Sequence, residues 1–131
     1  KQSNTYLLKQ TKVFSDSLLA TGFYPDDFST INNQIALFSH WVQRTRGVRR
    51  AGSAAYDLAC VSSGIFDLFW EQNLKPWDTA AGQLLIEEAG GEVVNYEGNR
   101  FNCFDSGIIA GSPYLVEAFL KEMNTIRHQN S

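Results

Sequence analysis

Apolar residues along the chain recur with two periods, one typical of helices and one typical of strands. Between residues 28 and 46 they follow a helical period, with Asp27 or Ser29 available as a cap, which predicts the longest helix of the protein. Three more helices are predicted from residue 52 to 63, from residue 77 to the glycines at 90 and 91, and from Pro113 onward.

Short apolar runs between these helices predict strands over residues 18–21, 48–51, 65–71, 92–95 and 107–110. The run at 65–71 is largely apolar on both alternating faces, which indicates a central strand. Because strands alternate with helices, we predict an α/β fold in which a mixed β-sheet is layered with helices. Residues 1–12 are polar and are predicted to be a poorly ordered lead-in to a domain over residues 13–127.

The helix that begins near Trp77 brings a carboxylate, Asp78, into its first turn. Unpaired backbone N–H groups and the positive end of the helix dipole favour an anion there. Asp78 is therefore either a helix N-cap or a residue of a binding site. The face of this helix predicted to be buried consists of Trp77, Ala80, Ala81, Leu84 and Leu85.

The composition fits one globular domain of 131 residues, of which 44% are hydrophobic. A net charge of −3 argues against non-specific binding of nucleic acid. No apolar run approaches the roughly 18 residues of a membrane span, so we expect a soluble protein that does not contact membranes. Cys60 and Cys103 lack a metal-ligand spacing and no signal peptide is visible, which favours reduced thiols and a cytoplasmic location. The only methionine is Met123, so the sequence looks like a piece of a longer chain.

Three features fall at strand ends or helix starts, where open α/β sheets bind ligands. They are the run Gly52-Ser53-Ala54, Glu71 and Asp78. Ser53 lacks the flanking pattern of a nucleophile elbow, which disfavours covalent serine catalysis. Glu71 and Asp78 could act as acid and base, as in glycosidases, but the sequence leaves their distance open. The residues alone indicate an α/β domain with an acidic, polar pocket.

A basic cluster precedes the second predicted helix. Its members are Arg44, Arg46, Arg49 and Arg50. The cluster is either a solvated helix end, where cations suit the dipole, or a patch that attracts an anionic substrate or a partner.

Several motifs resemble the C-terminal half of the inositol monophosphatase family. They are RAGSAAYDLA from Arg50, WDTAAG from Trp77, EAGG from Glu88 and, less specifically, SLLATGF from Ser17. The combination of WDTAAG and EAGG at this offset is the specific part of the match. The resemblance extends over residues 13–120.

This resemblance implies a magnesium-dependent phosphomonoesterase that hydrolyses inositol monophosphate or a related small polyol or sugar phosphate. It implies that Asp78 ligates Mg²⁺, acts in catalysis and helps place the substrate. It further implies that Gly52, Ser53 and Ala54 line the substrate site and that Glu71 contacts a substrate hydroxyl. The complete protein is expected to be a homodimer.

The family's remaining metal ligands lie in its N-terminal half, on a glutamate and on an Asp-Pro-x-Asp-Gly-Thr motif that is absent from this sequence. Magnesium usually takes more than one carboxylate, so we expect the isolated chain to be inactive. We also expect it to self-associate through apolar surface that the missing half would cover. The alternative is a non-catalytic module that keeps the fold and binds a protein through the basic cluster or an exposed edge.

Overall fold

A computed structural model of the chain describes Leu8, residues 11–23 and residues 28–129, without the side chains of residues 128 and 129. The predicted lead-in therefore lies mostly outside the described residues, as do residues 24–27 of the following turn. A short 3₁₀ helix, Phe14–Asp16, precedes the regular elements. These are β1 (Leu18–Thr21), α1 (Ile31–Val42), β2 (Gly47–Arg49), α2 (Ala54–Ser62), β3 (Leu68–Gln72), α3 (Pro76–Glu88), β4 (Glu92–Val94), β5 (Gly107–Gly111) and α4 (Pro113–Gln129).

The strands form one mixed five-stranded sheet in the order β2-β1-β3-β5-β4. Strands β1, β2 and β3 run parallel, and β5 lies antiparallel between β3 and β4. The structure thus confirms the α/β fold and the central position of β3. Because β1, β2 and β3 are parallel, their carboxyl ends meet at one edge of the sheet.

The two faces of the sheet are covered by separate apolar cores. Alternate strand residues point to opposite faces, so Phe69 packs into one core while Leu68 and Trp70 pack into the other. The first core includes Leu58 of α2 and Ile86 of α3. The second contains residues of α1 and α4, among them Leu37, Trp41, Phe119 and Met123. Both faces of β3 are therefore buried, as its continuous apolar run indicates.

Helix α1 is shorter than predicted, and only part of its predicted apolar face is buried. It has 12 residues against 17 in α4, so the prediction that it is the longest helix is wrong. It ends where the Thr45 hydroxyl donates to the Trp41 carbonyl at 2.8 Å. Its buried residues are Gln34, Leu37 and Trp41. Of the apolar residues that follow the predicted helical period, Trp41 is buried and Ile31 and Phe38 are half-buried, whereas Phe28, Ile35 and Val42 are exposed. The predicted apolar face is therefore only partly the buried one, because apolar residues occupy more than one side of this segment.

Helix α3 also buries a different face from the predicted one. Its buried residues are Thr79, Gly82 and Ile86, and every residue predicted to face the core is exposed, Trp77 at 77%. A Cβ placed on Gly82 would lie 2.6 Å from the Leu58 Cβ atom, so α2 and α3 approach closely at this glycine. On α3, Gly82 rather than the large residues Trp77, Leu84 and Leu85 therefore makes the close contact with Leu58 of α2.

Two smaller expectations can also be compared with the structure. Both cysteines are free thiols, as expected, although Cys103 is only partly buried. Among the described residues, no helix combines the length and the hydrophobicity needed to cross a bilayer.

Candidate functional site

The segments that follow β1, β2 and β3 meet at the carboxyl edge of the sheet and line an open pocket of about 240 Å³. This is the position where open α/β sheets bind ligands. Five residues singled out from the sequence line this pocket together: Gly52, Ser53, Ala54, Glu71 and Asp78. Three further charged or backbone-exposing residues join them, namely Gly22, Arg50 and Asp57.

The N-terminus of α2 opens into the pocket. Gly52 has a φ of +88°, a conformation that side chains disfavour, and it turns the chain out of β2. Ser53 is the N-cap, and its Oγ atom accepts a hydrogen bond from the Tyr56 N–H at 3.2 Å. The hydroxyl thus serves the helix rather than a base, which agrees with the case against a serine nucleophile. The remaining unpaired N–H groups of this first turn favour an anion beside Ala54.

Asp78 enters the pocket from the first turn of α3. The N-cap is Lys75, Pro76 is the first helical residue, and Asp78 occupies the third position. The interpretation of Asp78 as the N-cap is therefore wrong. Its Oδ2 atom accepts a hydrogen bond from the Lys75 N–H at 3.1 Å, so its carboxylate still closes the helix start. The helix start fixes this carboxylate at the pocket.

Glu71 lies near the end of β3 and is only 7% exposed. Its carboxylate packs directly against Gly22, the residue that follows β1. Burial raises the pKa of Glu71 to about 7, with a further increase from the negative charges of Asp57 and Asp78 and a partial reduction by Arg50. Glu71 therefore exchanges its proton near neutral pH.

Asp57 is a pocket residue that the sequence reading missed. It is 1% exposed, and its Oδ1 atom has no hydrogen-bond partner among the described residues. Burial raises its pKa to about 6. A signal was available, because Asp57 is the one charged residue in the otherwise apolar or small-residue helix α2.

Of the four arginines in the predicted basic cluster, one lies at the pocket and three lie away from it. Arg50 lines the pocket, where its Nη2 atom donates to the Phe23 carbonyl at 2.8 Å and its guanidinium lies 4.8 Å from the Phe23 ring centre. The other three arginines are exposed and lie outside the pocket lining. Arg50 therefore ties the segment after β1 to the segment after β2.

The pocket offers carboxylate oxygens, the ligands that Mg²⁺ prefers. However, no three acidic, histidine or cysteine side chains among the described residues lie close enough together to hold a metal ion. Asp78 fits as one ligand at the rim of the pocket, and the described residues alone do not complete a magnesium site.

Comparison with known proteins gives consistent matches. The sequence model of the inositol monophosphatase family matches residues 2–128. The "Phosphatase IMPL1, chloroplastic" of Arabidopsis thaliana is 37% identical over 116 residues, which are 88% of this chain and 31% of that protein. The "Nus factor SuhB" of Pseudomonas aeruginosa is 40% identical over 111 residues, which are 83% of this chain and 41% of that protein.

Solved structures show the same similarity in three dimensions. The inositol monophosphatase of Anabaena (Nostoc) sp. PCC 7120 superposes with a TM-score of 0.83 at 39% identity, over 90% of this chain and 47% of that structure. The chain thus spans between 31% and 47% of the length of these relatives.

Proposed function

The chain belongs to the inositol monophosphatase family, and from this we propose that it is the C-terminal, substrate-recognising part of a magnesium-dependent phosphomonoesterase. The proposed substrate is inositol monophosphate or a related small polyol or sugar phosphate. The supporting observation is the convergence of Asp78, Glu71 and the N-terminus of α2 in one pocket. These groups are separated by up to 24 positions in the sequence, from Ala54 to Asp78, and come from three different elements.

Each pocket group has a proposed task. The unpaired N–H groups at the start of α2 attract the phosphate. Gly52 leaves room for it, because among the described residues no atom other than those of its chain neighbours lies within 4 Å of where its Cβ would be. Glu71 accepts a hydrogen bond from a substrate hydroxyl. Asp78 supplies one ligand to Mg²⁺, which when bound polarises the phosphoryl oxygens and activates water.

The protonation of Glu71 gives this proposal a pH dependence. A carboxylate accepts hydrogen bonds from a hydroxyl through both oxygens, whereas the acid form has one O–H that donates. Because burial holds the pKa of Glu71 at about 7, the accepting form dominates above neutral pH. Recognition of the hydroxyl should therefore improve as the pH rises through 7.

The test is a phosphatase assay on the complete protein with Mg²⁺ and inositol monophosphate, comparing wild type with Asp78→Asn. Loss of a residue that merely supports a metal ligand costs about 10- to 100-fold, so loss of the ligand itself should lower kcat/KM by at least about 100-fold. Asp16→Asn, an exposed carboxylate outside the pocket, is the control and should leave activity unchanged. Equal activity of wild type and Asp78→Asn would refute the proposal.

We further propose that the 131-residue chain alone is inactive, that the complete protein is a cytoplasmic homodimer, and that the isolated chain self-associates. The support for inactivity is that the described residues around Asp78 do not complete a magnesium site. Adding Mg²⁺ to the isolated chain should give no phosphate release, and measurable turnover would contradict this. Sedimentation of the complete protein tests the dimer.

A second candidate function is a non-catalytic protein-binding module, and it is favoured by the relatives that carry the name Nus factor SuhB. For this chain, the exposed arginines at 44, 46 and 49 would form the interface. An assay of the complete protein separates the two functions, because a binding module would show no magnesium-dependent activity.

A further inference from the structure

Gly22 and Glu71 make a close contact that only a glycine permits. A Cβ atom built on Gly22 would overlap the Oε1 atom of Glu71 and would lie 2.8 Å from its Cδ and 2.9 Å from its Oε2 atom. Real Cβ atoms do not approach other heavy atoms this closely. The three nearest atoms all belong to this one carboxylate, so the space left by the missing side chain is filled by the pocket-facing end of Glu71.

The backbone of Gly22 gives no other reason for a glycine. Four glycines among the described residues have positive φ angles, and Gly22 is not one of them. Gly52 is the opposite case, because its φ is +88° and, within the described part of the chain, no atom beyond its chain neighbours lies within 4 Å of its Cβ position. Position 52 thus needs a glycine because its φ is positive, and position 22 needs one because the Glu71 carboxylate leaves no room for a side chain.

The position of Gly22 relative to Glu71 is fixed by the sheet. Thr21 pairs with Trp70 in the parallel register of β1 and β3, and the Thr21 hydroxyl donates to the Trp70 carbonyl at 2.7 Å. The next residue on each strand is Gly22 and Glu71. On the other side, the hydrogen bond from Arg50 to the Phe23 carbonyl holds the chain just after Gly22. Gly22 therefore has little freedom to move away from the Glu71 carboxylate.

We propose that Gly22 is a positioning residue: because it has no side chain, the Glu71 carboxylate packs directly against its backbone, and this contact sets where the pocket recognises a substrate hydroxyl. That Glu71 recognises a substrate hydroxyl rests on the proposed phosphatase function, whereas the placement of its carboxylate by Gly22 does not. In this arrangement Gly22 does not touch the substrate and acts only through Glu71.

Gly22→Ala tests this contact, because alanine suits the backbone and the three atoms nearest its methyl group all belong to the flexible end of the Glu71 side chain. The chain should stay folded while the carboxylate moves into the pocket. In the complete protein we expect KM for inositol monophosphate to rise about 10- to 100-fold, the value of one hydrogen bond to a charged group, with a much smaller change in kcat.

The Glu71→Ala background shows whether Gly22 acts through Glu71. With the carboxylate gone, the three atoms nearest the added methyl group are absent, so Gly22→Ala should change KM by less than about twofold on that background. Gly47→Ala is the matched control, since its Cβ would come closest to the end of the Arg49 side chain, at 2.8 Å, with the Leu18 Cδ1 atom in ordinary contact at 3.5 Å, and both residues lie outside the pocket lining. It should leave KM and kcat unchanged.

Three results would overturn the inference. They are a wild-type KM for Gly22→Ala in an active enzyme, an equal effect of Gly22→Ala with and without Glu71, and a crystal structure of Gly22→Ala in which the carboxylate has not moved. If the wild-type protein is inactive and the crystal structure of Gly22→Ala shows a displaced carboxylate, the phosphatase proposal is refuted and the positioning role of Gly22 is supported. The two failures are thus distinguishable.

Discussion

Glu71→Gln should make the folded chain more stable at alkaline pH. The substitution keeps the shape of the side chain and removes its charge. The pKa of Glu71 is raised from 4.5 to about 7, chiefly by burial, so between these values the folded chain keeps a proton that the unfolded chain releases. The stability of the wild type therefore falls as the pH rises through this range.

The size of the effect follows from the pKa. Each pKa unit corresponds to about 1.4 kcal/mol, so the buried charge of Glu71 destabilises the folded chain by about 3 kcal/mol at pH 8. Little of this is lost to solvent screening, because the side chain is only 7% exposed. Below pH 4.5 the glutamate is neutral in both states and the charge term vanishes.

Urea unfolding followed by tryptophan fluorescence measures this difference. At pH 8 we expect Glu71→Gln to raise the free energy of unfolding by about 2–3 kcal/mol, and at pH 4 by close to nothing. Glu88→Gln, at an exposed position of α3, is the matched control and should show no such pH dependence. A gain that is equal at both pH values, or a loss at pH 8, would refute the assignment of a buried, destabilising charge to Glu71.

Four further outcomes are expected for the isolated chain. Ser53→Ala removes the N-cap of α2 and should lower the free energy of unfolding by about 1 kcal/mol in urea titrations. Gly82→Ala forces a methyl group against Leu58 and should lower it by about 1–3 kcal/mol, and an unchanged value would contradict the close packing. Asp57→Asn should stabilise the chain above pH 6 and not below pH 4, because burial raises the pKa of Asp57 to about 6. Trp77→Ala should reduce self-association in sedimentation experiments and leave stability within about 0.5 kcal/mol, since Trp77 is 77% exposed; unchanged association would exclude this surface as the contact.

Local sequence signals located the elements of this fold well. A proline after a cap residue predicted the start of α4, where the Ser112 Oγ atom accepts a hydrogen bond from the Leu115 N–H at 3.3 Å. Two apolar faces predicted the central place of β3. These signals succeed because capping and side-chain alternation depend on residues within a few positions of one another.

The same kind of pattern assigned the buried face of α3 wrongly and that of α1 only partly correctly. Hydrophobic periodicity assumes that the largest apolar residues face the core of the chain in hand. In α3, the large residues Trp77, Leu84 and Leu85 are exposed, and the contact with α2 is made at Gly82. A periodic pattern cannot tell which apolar surface meets which partner.

The sequence by itself determined the α/β class, the order of the elements, and five residues that line the pocket. Only the tertiary structure decided what surrounds each of them, because those neighbours come from distant segments. It placed Gly22 of the β1 end beneath the carboxylate of Glu71 and brought Asp57 into the same pocket. It also showed that Asp78 is the third residue of α3 and not its N-cap. The contact between Gly22 and Glu71 joins residues that are 49 positions apart. Neither such a contact nor the burial that raises a pKa leaves a signal in the neighbouring sequence.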